Sequence, residues 1–203
     1  LVVLGALGFG GYQVLWAIGL TSITAGQSAL LVAAAPVFTA LLAGATGMDE
    51  LSAPKVGGAV LAFVGVALVV TGGQAVSLGG SLLGSVLTLG AAALWAIYTV
   101  GATRAVRGLT PLQLTAWTVV PGALVLAPFA VVEAIGRTPV PVDAGAVVGL
   151  LFSGMLAAAI ANVFVMHAIT LIGPTRVSAS QFLVPGGALA LGALFLAEPV
   201  GAA

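Results

Sequence analysis

Tyr12, Trp16, Gln27, Trp95, Tyr98, Asn162, Ser178 and Gln181 are polar or aromatic side chains set inside otherwise apolar runs. Tyr12 and Trp16, four residues apart, share one face of a helix, with Gln13 beside Trp16. Thr88, Trp95 and Tyr98 share another face, and Ser178, Gln181 and Pro185 recur at helical spacing. Buried in hydrocarbon, such groups need partners, so each patch must face protein or water. Hydrogen bonding between helices and anchoring at the headgroups account for any one of them. Taken as a set they point to a lined cavity, whose chemistry is stacking and hydrogen bonding. His167, the single histidine, is suited either to carrying a proton or to a neutral hydrogen bond with a neighbouring helix. Asn162 lies five residues earlier, about 140° round an ideal helix, so both face one narrow cavity only if the helix is irregular.

Bond-making chemistry is not visible. Asp49, Glu50, Glu133, Asp143 and Glu198 all fall at the ends of apolar runs or between them. No His/Asp/Glu cluster suggests a metal, no nucleophile has a base beside it, and there is no cysteine. The single lysine, Lys55, sits at a helix start, which argues against a retinal Schiff base. Neither enzyme, cofactor nor metal is expected. With zero net charge and no basic patch, nucleic acid is not an expected partner.

The elements that must position these residues cross a membrane. The chain is 61% hydrophobic and 5% charged, with a mean hydropathy of +1.29. Soluble domains carry about 25% charged residues, too many for this composition to be one of them. About 20 apolar residues cross a bilayer core, and seven such spans can be drawn: 1–19, 27–46, 55–72, 81–102, 111–132, 144–171 and 175–196. Ser52 and Pro54 suit the start of the third span, which has no polar side chain after Lys55 and is the most lipid-like. Proline inside a soluble helix costs about 3 kcal/mol, but a membrane bundle tolerates it where neighbours or cavity water satisfy the freed carbonyl. Pro36 would free the carbonyl of Val32, and Pro185 that of Gln181. Both are read as helix breaks near gates. The chain begins with Leu1 inside an apolar run and closes on AEPVGAA, so a piece of a longer protein is expected.

Residues 161–198 read as a second copy of residues 10–51. With Pro36 opposite Pro185, SALLVAAAPVFTALLAGATGMDEL runs beside VSASQFLVPGGALALGALFLAEPV, and VLWAIGL matches VMHAITL upstream. Counting loops alternately, the even ones hold Lys55, Arg104, Arg107 and Arg176, and the odd ones Arg137 alone. The bias toward cytoplasmic Lys and Arg places the even loops, and residue 1, inside. One copy then begins inside and the other outside. An inverted repeat of this kind puts a binding site near the midplane between the copies.

The order AGQSALLVAAAPVFTALLAG, a polar turn with Glu50, then VGGAVLAFVGVALVVTGG resembles the EamA-like transporters of the drug/metabolite transporter superfamily. IGPTRVSASQFLVPGGALALGALFLAEP is similar to the corresponding stretch of that family's second half. The family's usual Gly-Glu is Asp49-Glu50 in one copy and Ala197-Glu198 in the other. The resemblance implies an all-α polytopic membrane protein of ten helices in two inverted five-helix repeats. This chain would hold helices three to nine, with residues 1–75 from the first repeat and 76–203 from the second. It implies a secondary transporter in the bacterial inner membrane, exporting a small metabolite such as an amino acid, purine or other nucleobase by alternating access. The cavity would be lined by helices three, four, six, eight and nine, which carry Tyr12 and Trp16, Gln27, Trp95 and Tyr98, Asn162, and Ser178 and Gln181. A passive channel and a non-transporting membrane scaffold are the alternative readings. The expected partners are the solute and the lipid bilayer, and the oligomeric state is left open.

Overall fold

A computed structural model describes residues 1–50, 52–71, 81–105, 108–136 and 143–184. Regular structure among them is helical throughout. In chain order the helices are α1 (Val2–Leu20), α2 (Ala25–Val32), α3 (Ala35–Ala45), α4 (Ala53–Thr71), α5 (Leu82–Ala105), α6 (Pro111–Gly136), α7 (Ala144–Ile172) and α8 (Pro174–Ala179). A 3-10 turn, Ser180–Phe182, continues α8. Five spans among the described residues are long and apolar enough to cross a membrane: α1, Gly26–Ala45, α5, α6 and α7. The chain is an all-α polytopic membrane protein.

Local chemistry sets the helix ends. Thr24 accepts from the Gln27 backbone N–H at 3.2 Å while the Gln27 side chain accepts from the Thr24 N–H at 3.1 Å, a reciprocal cap that starts α2. Asp143 caps α7 by accepting from the Ala146 N–H at 2.7 Å. Gly173, with φ of 84°, ends α7 in a conformation that side chains resist, and Pro174 opens α8 directly after it. The second span breaks at Ala33–Ala34 because Pro36 cannot donate to the Val32 carbonyl.

The long α5 is the axis of the bundle, packing against α1, α2, α3, α7 and α8, while α6 lies across α1 and α7. Glycine lets α1 come this close. A methyl group at Gly5 would run into the Thr118 backbone of α6, and one at Gly8 into the Tyr98 side chain of α5. Ala6–Gly11, which follows Gly5 and contains Gly8, is wound as a π-helix, and so is Phe152–Ile160 in α7. In contrast, α4 leaves Val60, Leu61 and Leu68 exposed at the edge of the bundle, where its composition places it.

Two contacts show which loops share an end. The Ser81 N–H donates to the Ser22 carbonyl at 3.1 Å, joining the first and third loops. At the other end the Arg104 guanidinium donates to the Thr46 carbonyl at 3.1 Å, joining the second and fourth. Pro185, Glu198, Arg107 and Arg137 lie outside the described residues, so the second proline break does too.

Candidate functional site

A cavity of about 490 Å³ opens between four walls. Tyr12, Trp16 and Leu20 of α1 form one, and Ser28, Ala29, Val32, Ala33 and Pro36 around the broken second span form the next. Trp95 of α5 and Gln181, Phe182 and Val184 beyond α8 complete it. Leu20 and Ser28 sit beside the first loop, whereas Tyr12, Pro36 and Trp95 sit in mid-helix, so the cavity runs from the first-and-third-loop end to mid-span. Toward the opposite end Ala43, Ala102 and Ser178 are buried, and Arg104 bridges α5 to the end of α3.

The aromatic wall is held from behind. The Trp16 and Tyr12 rings are stacked at 6.5 Å with planes 7° apart, and Tyr12 meets Trp95 at 5.5 Å. Trp95 continues to Tyr98 at 5.4 Å and Phe9 at 5.8 Å. The Trp16 indole N–H donates to Ser28 Oγ at 2.9 Å, which ties α1 to α2 and fixes the ring. Three other polar tips on the lining, the Tyr12 hydroxyl, the Trp95 indole N–H and the Gln181 carboxamide, make no hydrogen bond among the described residues. The described lining side chains are all uncharged.

Of the residues singled out in the sequence, Tyr12, Trp16, Trp95, Gln181 and Pro36 meet at this cavity. The others are placed elsewhere. Tyr98 is fully buried. Its hydroxyl lies 3.3 Å from Thr118 Oγ1 and accepts from the Asn162 side-chain amide at 3.4 Å, and that amide also donates to Thr115 Oγ1 at 3.2 Å. These bonds pin α5, α6 and α7 together. Gln27 is spent on the cap of α2, and Ser178 is buried on α8 with no hydroxyl partner among the described residues. His167 is exposed on the side of α7 away from Asn162, Met166 and Ile169, which face the bundle. The cavity therefore takes its described walls from the first, second, fourth and seventh spans; no sixth-span residue is among them.

Sequence reasoning missed Ser28, which stands next to Gln27 and takes the lining position expected of it. It also missed Thr115 and Thr118, whose three-residue spacing on one face of the fifth span was the available signal.

At the second-loop end Lys55 pairs with Asp49 and also donates to the Glu50 carbonyl at 3.0 Å. The Lys55 hydrogen bond, with the Thr175 hydroxyl close by, holds the Asp49 carboxyl below the usual carboxylate range. That hydroxyl falls short of hydrogen-bond geometry. Its proximity still brings the start of α8 to the end of α3.

The fold and the site define a polytopic helical membrane protein with a cavity of about 490 Å³ beside a proline-broken span. Residues 1–71 and 82–203 match the EamA-like transporter family, and the chain belongs to that family. A probable terminal-alkyne amino-acid exporter of Streptantibioticus cattleyicolor is 29% identical over 197 residues, covering 96% of this chain and 64% of the exporter. A transporter of Archaeoglobus fulgidus is 30% identical over 186 residues, covering 90% and 63%. The Bacillus subtilis transporter YyaM is 34% identical over 130 residues, covering 62% and 42%. The chain thus spans less than two thirds of the length of these relatives. One solved crystal structure shares the fold, with a TM-score of 0.77 at 17% identity, covering 95% of this chain and 66% of that one.

Proposed function

We propose that this chain is the larger part of a secondary transporter that exports a small metabolite by alternating access, with the cavity as its solute site. The observation that carries the reading is the convergence of Tyr12, Trp16, Trp95 and Gln181 on one cavity beside the helix break at Ala33–Pro36. A volume near 490 Å³ lies within the range of about 300–1,000 Å³ typical of ligand sites. Amino acids and nucleobases are the solute classes in view, the first also because a relative bears the name of a probable amino-acid exporter. The protein moves its solute and leaves it chemically unchanged.

Two repeats of opposite orientation, meeting between residues 75 and 76, suit this mechanism. With Pro36 set opposite Pro185, the first residue of α8, Pro174, falls opposite the first residue of α2, Ala25. The turn at Ala33–Ala34 and the 3-10 turn Ser180–Phe182 then overlap. With VLWAIGL opposite VMHAITL, the π segments of α1 and α7 overlap as well. The two copies start at opposite ends of the bundle: α2 follows the first loop, and α8 begins beside Asp49. With Lys55, Arg104 and Arg176 on the cytoplasmic side of a bacterial inner membrane, the cavity faces outward.

Counterflow into liposomes holding the full-length protein tests the reading. Labelled amino acids and nucleobases are offered against an internal excess of the same unlabelled compound. Transient accumulation above equilibrium is expected for a carrier. Flux without accumulation would identify a channel, and neither flux nor accumulation across a broad panel would favour a scaffold.

A further inference from the structure

The chemistry of the cavity narrows the solute, granted that this cavity is the transport site. Its flat surfaces are aromatic: Tyr12 and Trp16 lie nearly parallel, and Trp95 is tilted against Tyr12 by 51°. Such faces stack planar rings without demanding a particular sequence of atoms around them. Among the described residues its free polar groups are neutral. The Gln181 carboxamide holds a donor and an acceptor side by side, the complement of an amide-like edge on a heteroaromatic ring.

The helix break supplies the third element. Pro36 leaves the Val32 carbonyl without its helical donor, and Val32 lines the cavity. The same proline, lacking an N–H in the first turn of α3, removes one of the donors with which a helix N-terminus holds an anion. The break therefore offers an acceptor for a ring N–H or an amino group, and little to a carboxylate. Charge placed among neutral groups in a low-dielectric cavity carries an uncompensated desolvation cost. We infer that the cavity takes a planar, net-neutral heteroaromatic solute of the nucleobase type, its ring against Tyr12 and Trp95 and its amide-like edge on Gln181.

The test is equilibrium dialysis of purified full-length protein with radiolabelled adenine, phenylalanine, adenosine monophosphate and choline in turn. Adenine is expected to bind at least tenfold more tightly than the zwitterion, the anion or the cation. Gln181→Leu should weaken adenine at least tenfold while the melting temperature holds. If that variant does not fold, the ranking of the four compounds on the wild-type protein still decides. Tighter binding of phenylalanine, adenosine monophosphate or choline overturns the inference, as does no adenine binding at all. Counterflow with whichever compound binds best then separates the two readings. Adenine bound tightest without counterflow leaves the inference standing and removes transport. Phenylalanine bound tightest with counterflow does the reverse.

Discussion

Tyr12 and Tyr98 are the same residue type on neighbouring helices, both within reach of Trp95, yet they meet opposite fates. Tyr98 is enclosed, with its hydroxyl in hydrogen bonds that reach α6 and α7. Tyr12 is half-buried on the cavity wall, and its hydroxyl has no partner among the described residues. The same contrast separates Asn162, which binds two neighbours, from Gln181, which binds none among the described residues. A polar group within a membrane span must be satisfied. Where protein does so, it holds helices together. Where protein does not, the remaining candidates are water and solute.

The tightly packed half of this comparison should break hardest. Gly5→Ala drives a methyl group into the Thr118 backbone, which cannot rotate away as a side chain can. Overpacking typically costs about 1–3 kcal/mol, and a rigid backbone obstacle puts this change near the top of that range. The expected result is a sharp fall in melting temperature and in monodisperse yield from detergent. A melting temperature within a degree or two of wild type would mean that α1 is not seated on α6 as described.

On the cavity side the loss should be one of function. Gln181→Ala removes an unpaired amide and is expected to lower transport about tenfold, roughly 1.4 kcal/mol, with little change in stability. Asn162→Ala should do the opposite. It removes two hydrogen bonds between helices, each worth about 0.6 kcal/mol on average within a membrane bundle, so a destabilisation of about 1 kcal/mol with unchanged solute affinity is expected. Measuring melting temperature and KM on both variants sharpens the comparison. If the two profiles were exchanged, the network would be the solute site.

Much of this division was beyond the sequence for a definite reason. Periodicity shows which residues share a face of one helix, and it groups Tyr12 with Trp16 and Trp95 with Tyr98, whose rings lie 6.5 Å and 5.4 Å apart. It does not say which neighbour a face meets. Tyr98 lies three residues beyond Trp95, enough for Gly8 to cover it and for Thr118 to bind it, while Trp95 stays on the wall. Gln27 was legible as polar, but its role as a cap follows from Thr24 three residues earlier, a signal as readable as the one pursued. Five of the seven spans, the break before Pro36 and the exposed apolar face of the third span were legible because composition and proline chemistry act locally.

The Asp49–Lys55 pair offers a smaller effect with a defined sign. A carboxyl whose value is lowered on folding contributes stability above its ordinary range, near pH 4, and loses it as pH falls through the folded value. Asp49→Asn should therefore lower the melting temperature slightly at neutral pH, by the equivalent of at most about 1 kcal/mol for a pair at the surface. The difference from wild type should disappear in acid. A deficit that persisted unchanged below the carboxylate range would assign it to packing in place of charge.

The smallest effect is expected where the sequence offered the most obvious candidate. His167 is the side chain best suited by type to couple a solute to protons, and its repeat partner is an apolar or aromatic residue. The structure turns it away from the face of α7 that carries Asn162, Met166 and Ile169, and the cavity draws none of its described walls from α7. Coupling needs a group whose protonation alters either the solute site or the balance between two conformations. An exposed imidazole remote from the cavity does neither through the described contacts. His167→Ala should leave both the rate and the pH profile of counterflow as they are in the full-length protein. A shifted pH profile with an unchanged melting temperature would show instead that the outer face of α7 meets a part of the transporter that titrates with it.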